Sequence, residues 1–174
     1  YAMLIKKSFG PIKNSVTIYY LNVILVLSLF ITFILMFQGG YNSFGKALLA
    51  SVFQVASFIS TTGFGNADNA LWPMLANIFL LLAAFHCGCS GSTTGGIKAD
   101  RMLIIFKEIG NEFKRRLHPS SVFCTKVDDH TVNNDQISAV FLYFVAYIFI
   151  LFISFMAVLI SGVEISDAFS GTLA

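Results

Sequence analysis

Three apolar stretches, Val16 to Phe37, Leu71 to Cys89 and Ile137 to Ile160, contain no Lys, Arg, Asp or Glu. A hydrocarbon core about 30 Å thick takes roughly 20 apolar residues at a rise of about 1.5 Å each, and all three stretches meet that length. Such a chain has few ways to fold, because lipid offers no water to its backbone polar groups and only internally bonded helices or closed barrels satisfy them. With 19 Phe, 56% hydrophobic residues and 11% charged residues, the composition points the same way, far from a soluble domain. The first stretch is longer than a signal-peptide core, and no small-residue cleavage site follows Met36 and Phe37, so it reads as a spanning helix.

Orientation follows from the positive charges. Lys6, Lys7 and Lys13 precede the first stretch, and Lys98, Arg101, Lys107, Lys114, Arg115, Arg116 and Lys126 lie between the second and third, leaving only Lys46 elsewhere. This asymmetry puts both flanking segments in the cytoplasm and residues 38–70 outside, in a multi-pass protein of the cell inner (plasma) membrane. The net charge of +2 then reflects topology, and no nucleic-acid partner is expected. Cys87, Cys89 and Cys124 are odd in number and fall near the cytoplasmic half, which argues against a disulfide framework.

Between the first two stretches, Phe44 to Ile59 carries apolar residues at helical spacing, through Leu48, Ser51 or Val52, Val55 and Ile59. At about 1.5 Å per residue this helix reaches roughly 24 Å and then stops at the glycine-bearing segment Ser60-Thr61-Thr62-Gly63-Phe64-Gly65. A short helix that enters the membrane and stops is re-entrant. Non-helical backbone at that depth is tolerated only against protein or a water-filled cavity, so residues 61–65 are expected to line one. Extended backbone there can aim carbonyl oxygens at a dehydrated cation, with the negative end of the short helix dipole adding favourable potential. Gly63 matters because a residue without Cβ takes up positive φ readily. The alternative is a glycine-bearing connection between two membrane helices.

A second segment, Gly88-Cys89-Ser90-Gly91-Ser92-Thr93-Thr94-Gly95-Gly96-Ile97-Lys98, breaks the second stretch near its cytoplasmic end. It reads either as a flexible constriction that opens and closes an ion path or as an interfacial loop. A phosphate-binding loop is excluded, because Ile97 separates Gly96 from Lys98 and Ala99 follows. Lys98 is correspondingly an interfacial anchor or a gate-linked cation. His86, Cys87 and Cys89 are zinc-ligand types, but Cys87 and Cys89 would lie about 200° apart on a helix and no second ligand pair is visible. His118-Pro119 reads as a helix end. No nucleophile, base and orienting partner form a cluster, so enzyme chemistry is not expected.

Phe53-Gln54-Val55-Ala56-Ser57, Thr61-Thr62-Gly63-Phe64, Leu71-Trp72-Pro73, the segment Gly88 to Lys98 and His118-Pro119 together resemble the Trk/Ktr/HKT superfamily of potassium-uptake membrane subunits, TrkH and KtrB type. The resemblance covers nearly the whole chain. It implies an all-α integral membrane fold in which a repeat of helix, re-entrant pore helix, filter strand and helix occurs four times around one pseudo-fourfold, potassium channel-like pore, with this chain a fragment holding the third repeat and the start of the fourth. On that reading residues 1–15 lead in from the preceding repeat, and 16–117 form the third repeat. That repeat comprises span 16–37, pore helix 44–59, filter 60–65, span 71–89, gating loop 88–96 and cytoplasmic helix 97–117. Residues 118–136 connect to the start of the fourth repeat at 137–174, with span 137–160 and a truncated pore helix at 164–174. An internal echo agrees: Gly162, Glu164 and Ala168-Phe169 follow the third stretch much as Gly39, Gly40 and Ala47-Leu48 follow the first.

The same resemblance implies roles. Ser60, Thr61, Thr62, Gly63 and Phe64 would form one quarter of the filter, with potassium, the transported substrate, at Thr61, Thr62 and Gly63, and no cofactor in the chain. Gly88, Cys89, Ser90, Gly91, Ser92, Thr93, Thr94, Gly95, Gly96 and Lys98 would form the intramembrane gate. One departure is Ala84-Phe85-His86-Cys87, where relatives often carry small or apolar residues. Implied partners are the remaining repeats of a longer parent, a second copy in a homodimer, membrane lipid and a cytoplasmic nucleotide-binding ring of TrkA or KtrA type.

On the cytoplasmic side, Met102, Phe106, Ile109, Phe113 and Leu117 share one helical stripe, which marks an amphipathic helix that either anchors at the inner membrane surface or contacts a regulator. Glu112 and Arg116 stand at i and i+4 and are expected to pair. Thr125 to Asn134 reads as a short hairpin. Two functions of different class remain from the residues: a potassium-conducting pore subunit and a non-conducting membrane scaffold or receptor that reuses the helical architecture.

Overall fold

Residues 14–38, 40–89, 91–118, 124–128, 130–163 and 165–173 are described by a computed structural model. The first apolar stretch forms α1, Ser15–Gln38, and the re-entrant segment forms α2, Phe44–Ile59. After a 3₁₀ turn at Asn69–Leu71 come α3, Met74–Phe85, and α4, Ala99–Leu117. The third stretch forms α5, Asn134–Ile160, followed by α6, Ile165–Leu173. Two short ladders interrupt the helices: β1, His86–Cys87, runs parallel to β2, Ile97–Lys98, and β3, Lys126–Val127, runs antiparallel to β4, His130–Thr131. The last of these is the hairpin expected between Thr125 and Asn134. Lys6, Lys7, Lys13, Ser90, Pro119 and Glu164 lie outside the described residues.

Among the described residues α1 and α5 are long and apolar enough to cross a membrane. The continuous span expected from Leu71 to Cys89 is corrected. Pro73 has no backbone N–H and sits at the N-cap of α3, with φ −54° and ψ 142°, so the helix starts at Met74. At the other end His86 leaves helical geometry, with φ −92° and ψ 84°, because the chain pairs with Ile97. The helical part, 12 residues, is about 18 Å long, too short to span alone. α4 likewise begins at Ala99 instead of Ile97, since Ile97 and Lys98 are the partners in that ladder.

α1, α2 and α3 pack around Ile31, Leu35, Ala47, Ala50, Val55, Ile59, Ala76, Leu80 and Ala83. Lipid tails are as apolar as leucine, so helices in a membrane are held by close packing more than by escape from solvent, and small residues permit close approach. Ala47, Ala50 and Ser51 supply that surface on α2. Phe30 and Phe79 stack at 5.6 Å nearby. A second cluster, Ile97, Met102 and Ile105 with Phe85, Phe144 and Tyr147, joins the break between α3 and α4 to α5.

Candidate functional site

The backbone after α2 is the first half of the site. Ser60 N–H donates to the Ala56 carbonyl at 3.0 Å, Thr61 N–H to Phe58 at 3.1 Å and Thr62 N–H to Ser57 at 3.0 Å. The last two bonds are the Schellman closure of a helix end, which demands a left-handed residue at the position Thr61 occupies. Thr61 has φ +51°, an unusual value for a β-branched residue, and Gly63 has φ +76°. Positive φ therefore recurs at 61 and 63 with a negative value between. Glycine's freedom at 63 is readable from the sequence, whereas the strain at 61 arises from the helix end.

Side chains brace this segment from behind. Buried Gln54, on the face of α2 turned toward the segment, donates through Nε2 to the Ala67 carbonyl at 2.9 Å. Ser60 Oγ donates to the Ala56 carbonyl at 2.6 Å and lies 2.5 Å from Thr62 Oγ1. Asn77 Nδ2 on α3 holds the Asn69 carbonyl at 3.1 Å. Together these elements border an open cavity of about 300 Å³ lined by Gln54, Ser57, Thr61, Gly63, Gly65 and Asn69, among others. Ser57 Oγ and Asn69 Oδ1 are buried without hydrogen-bond partners among the described residues. Gln54 and Ser57 were legible only as parts of a motif; the signal for a bracing role is a polar residue on the buried face of a short apolar helix.

The second half is the segment between β1 and β2. Its two ends are joined by the parallel register His86 with Ile97 and Cys87 with Lys98. Gly88 N–H donates to Thr94 Oγ1 at 3.0 Å, Ser92 Oγ donates to the same oxygen at 3.2 Å, and Lys98 Nζ reaches the Ser92 carbonyl at 3.2 Å. A side chain at Gly88 would put Cβ 2.8 Å from Ser92 Oγ, so glycine there permits the fold-back. Gly96, at φ +72°, sits where a Cβ would lie 2.6 Å from Cys87 Sγ. The structure thus brings Gly88, Ser92, Thr94, Gly96 and Lys98 into one knot.

Neighbouring helices hold the knot. His86 Nε2 and the Tyr19 hydroxyl are hydrogen-bonded at 3.0 Å, and Cys87 Sγ–H donates to the Ala84 carbonyl at 3.3 Å. From α5, Tyr147 meets Phe85 edge-on at 6.3 Å, and the Tyr143 ring lies 3.8 Å from the Arg101 guanidinium. On α4, Glu112 pairs with Arg115 at 2.6 Å, not with Arg116 as the i, i+4 spacing predicted, because Arg115 also reaches the buried Glu108 at 3.0 Å. Among the described members of the predicted stripe, Phe106, Ile109, Phe113 and Leu117 are exposed in this chain, whereas the buried face runs through Met102, Leu103, Ile105 and Glu108.

A long helix, a re-entrant helix stopping at a strained extended segment, and a second helix broken by a glycine-rich knot define an integral membrane protein of the pore-repeat class. The chain belongs to the TrkH family of cation transport proteins, whose profile matches residues 12–170. Trk system potassium uptake protein TrkH of Salmonella typhimurium strain LT2 is 35% identical over 155 residues, covering 89% of this chain and 32% of that protein. TrkG of the Trk system of Escherichia coli K12 is 27% identical over 162 residues, covering 93% and 33%. The crystal structure of the potassium transporter TrkH from Vibrio parahaemolyticus superposes with a TM-score of 0.83 at 29% identity, covering 91% of this chain and 34% of that one. The chain thus spans about a third of the length of the curated relatives it matches. These relatives are transport proteins, not enzymes.

Proposed function

We propose that the chain is the third repeat, with the start of the fourth, of a protein that takes up potassium across the cell inner membrane. Ser60 to Phe64 supply one quarter of its filter, with potassium held near Thr61, Thr62 and Gly63, and residues 88–96 with Lys98 form the gate. The observation that carries this reading is the alternation of φ at 61 and 63 directly beyond the C-terminus of α2. Alternating the hand of successive residues puts neighbouring N–H groups on one side and leaves the carbonyl oxygens for the other, where they can replace a cation's water shell. The partial negative charge of the α2 end lies at the same place.

The gate reading is supported by the bond from Lys98 into the knot and by the anchoring of both its ends to α1 and α5. One segment cannot surround an ion, so the remaining repeats of the parent complete the pore. A second copy of the parent, a cytoplasmic nucleotide-binding ring of TrkA or KtrA type and membrane lipid are its proposed partners, with the cytoplasmic side that of α4 and the hairpin. The test is rubidium uptake by a potassium-uptake-deficient bacterium expressing the full-length parent, native or Gly63→Ser, at matched membrane levels. Selective uptake by the native protein that the substitution degrades supports the assignment. Robust expression without uptake under several activating conditions returns the chain to the scaffold class.

A further inference from the structure

α4 leaves the gating segment without a linker: β2 ends at Lys98 and the helix starts at Ala99. Any displacement of α4 is therefore delivered straight to the knot. The β3–β4 hairpin bonds both to α4 and to the start of α1, and the two attachments differ in kind.

Toward α4 the attachment is branched, with a buried centre at Thr125 and Glu108 and an exposed outer bond from Lys107. The hydroxyl of Thr125, a residue only 2% exposed, donates to Oε2 of the buried Glu108. Asn111 Nδ2 donates to Thr125 Oγ1 at 2.8 Å, and Lys107 Nζ donates to the Lys126 carbonyl at 2.8 Å. Arg115 Nη1 completes the set on Glu108 Oε1 at 3.0 Å. A buried carboxylate that loses its donors keeps the full cost of desolvation, so this attachment resists rupture. Toward α1 the bonds converge on one exposed oxygen: Asp128 Oδ1 accepts from Ser15 N–H at 2.8 Å and from Ser15 Oγ–H at 2.5 Å, capping the first turn of α1. Water replaces exposed bonds of this kind at little net cost. The ring contact of Tyr19 with Phe106, 6.3 Å between centroids, also joins α1 to α4, but it is non-directional and tolerates sliding.

We propose that α4 and the hairpin move as one arm, and that the Ser15–Asp128 cap is the joint at which the arm separates from α1 when the gate rearranges. The proposal rests on the reading of residues 88–96 as the gate.

The test uses the full-length parent carrying Cys124→Ser with Ser15→Cys and Asp128→Cys, assayed for rubidium uptake before oxidation, after oxidation and after reduction. The expected result is a fall of about fivefold or more on oxidation, reversed by reductant and absent from the proteins carrying Ser15→Cys or Asp128→Cys alone in the same Cys124→Ser background, because a closed joint removes the separated state from the population. Separately, Asp128→Ala is expected to raise basal uptake about twofold or more at unchanged rubidium-over-sodium preference. A cross-link verified by mass spectrometry that leaves uptake unchanged overturns the joint. Deleting residues 92–95 in the same assay separates the failures. If the deletion alters uptake while the cross-link does not, the joint alone is wrong; if the deletion has no effect, the gate reading falls and the joint with it.

Discussion

The Gln54 side chain, buried in the short helix α2, donates to the Ala67 carbonyl across thirteen residues of sequence and so ties the chain just beyond the extended segment 61–65 to the helix before it. Gly65 sits against this bond, with the position its Cβ would take 3.4 Å from Gln54 Nε2. This amide joins the Ser60 hydroxyl, the helix-end bonds of Thr61 and Thr62 and the Asn77 amide in fixing the height of the segment relative to α2.

Gln54→Leu keeps much of the volume and removes the donor. The orphaned acceptor costs about 1–3 kcal/mol, expected as a lower melting temperature of the purified full-length parent together with weakened discrimination of rubidium against sodium. Unchanged discrimination would show that the bond stabilises without positioning.

Thr61→Gly is expected to separate stability from selectivity. Relief of the left-handed strain at φ +51° stabilises the end of α2 by about 1 kcal/mol, while a more flexible residue loosens the segment. Thermal melting should therefore shift upward as ion discrimination falls, a combination that simple damage to the fold does not produce.

How far the sequence reached depended on the range of the forces involved. α2 was legible to the residue, because its apolar spacing and the glycine-bearing stop are local signals. α1 and α5 followed from length and hydropathy, and the hairpin from its polar composition. The break at His86 was not legible, since Phe85, His86 and Cys87 continue an apolar run, and only pairing with Ile97, eleven positions on, takes them out of the helix. The partner of Glu112 was missed for a similar reason: its choice of Arg115 depends on Glu108, which is buried through Thr125 in a separate element. In the segment 60–65 the residue types were readable, whereas the strain at Thr61 emerged only from the helix-end hydrogen bonds.

In the glycine-rich knot, Gly96→Ala would place a Cβ 2.6 Å from Cys87 Sγ on a backbone at φ +72°. Large loss of regulated uptake is expected, with changed reactivity of Cys89 toward a thiol reagent. Adding Cys87→Ala removes the steric conflict but not the backbone strain, about 1 kcal/mol, so recovery should be partial. Complete recovery would assign the whole effect to the collision, and no recovery would assign it to the backbone.

Hydrogen bonds from the Ser15 hydroxyl and Ser15 N–H hold the Asp128 carboxyl below the usual carboxylate range, with Lys107 and His130 adding favourable charge. A depressed pKa of this kind contributes stability that is present above the unfolded-state value, near 3.9, and is lost as pH falls through the lower folded-state value. The difference in melting temperature between native protein and Asp128→Ala should hence be flat from about pH 5 to 8 and shrink below about pH 4. A difference that changes across neutral pH would implicate another group.

The central claim is that the backbone of Thr61 to Gly63 selects the ion, and the most direct measurement is the reversal potential of the purified full-length parent in a planar bilayer with opposed potassium and sodium gradients. The native protein is predicted to reverse near the potassium equilibrium potential and Gly63→Ser to shift toward that of sodium, at comparable protein levels. A reversal potential identical in the two proteins would contradict the assignment of this segment as the filter.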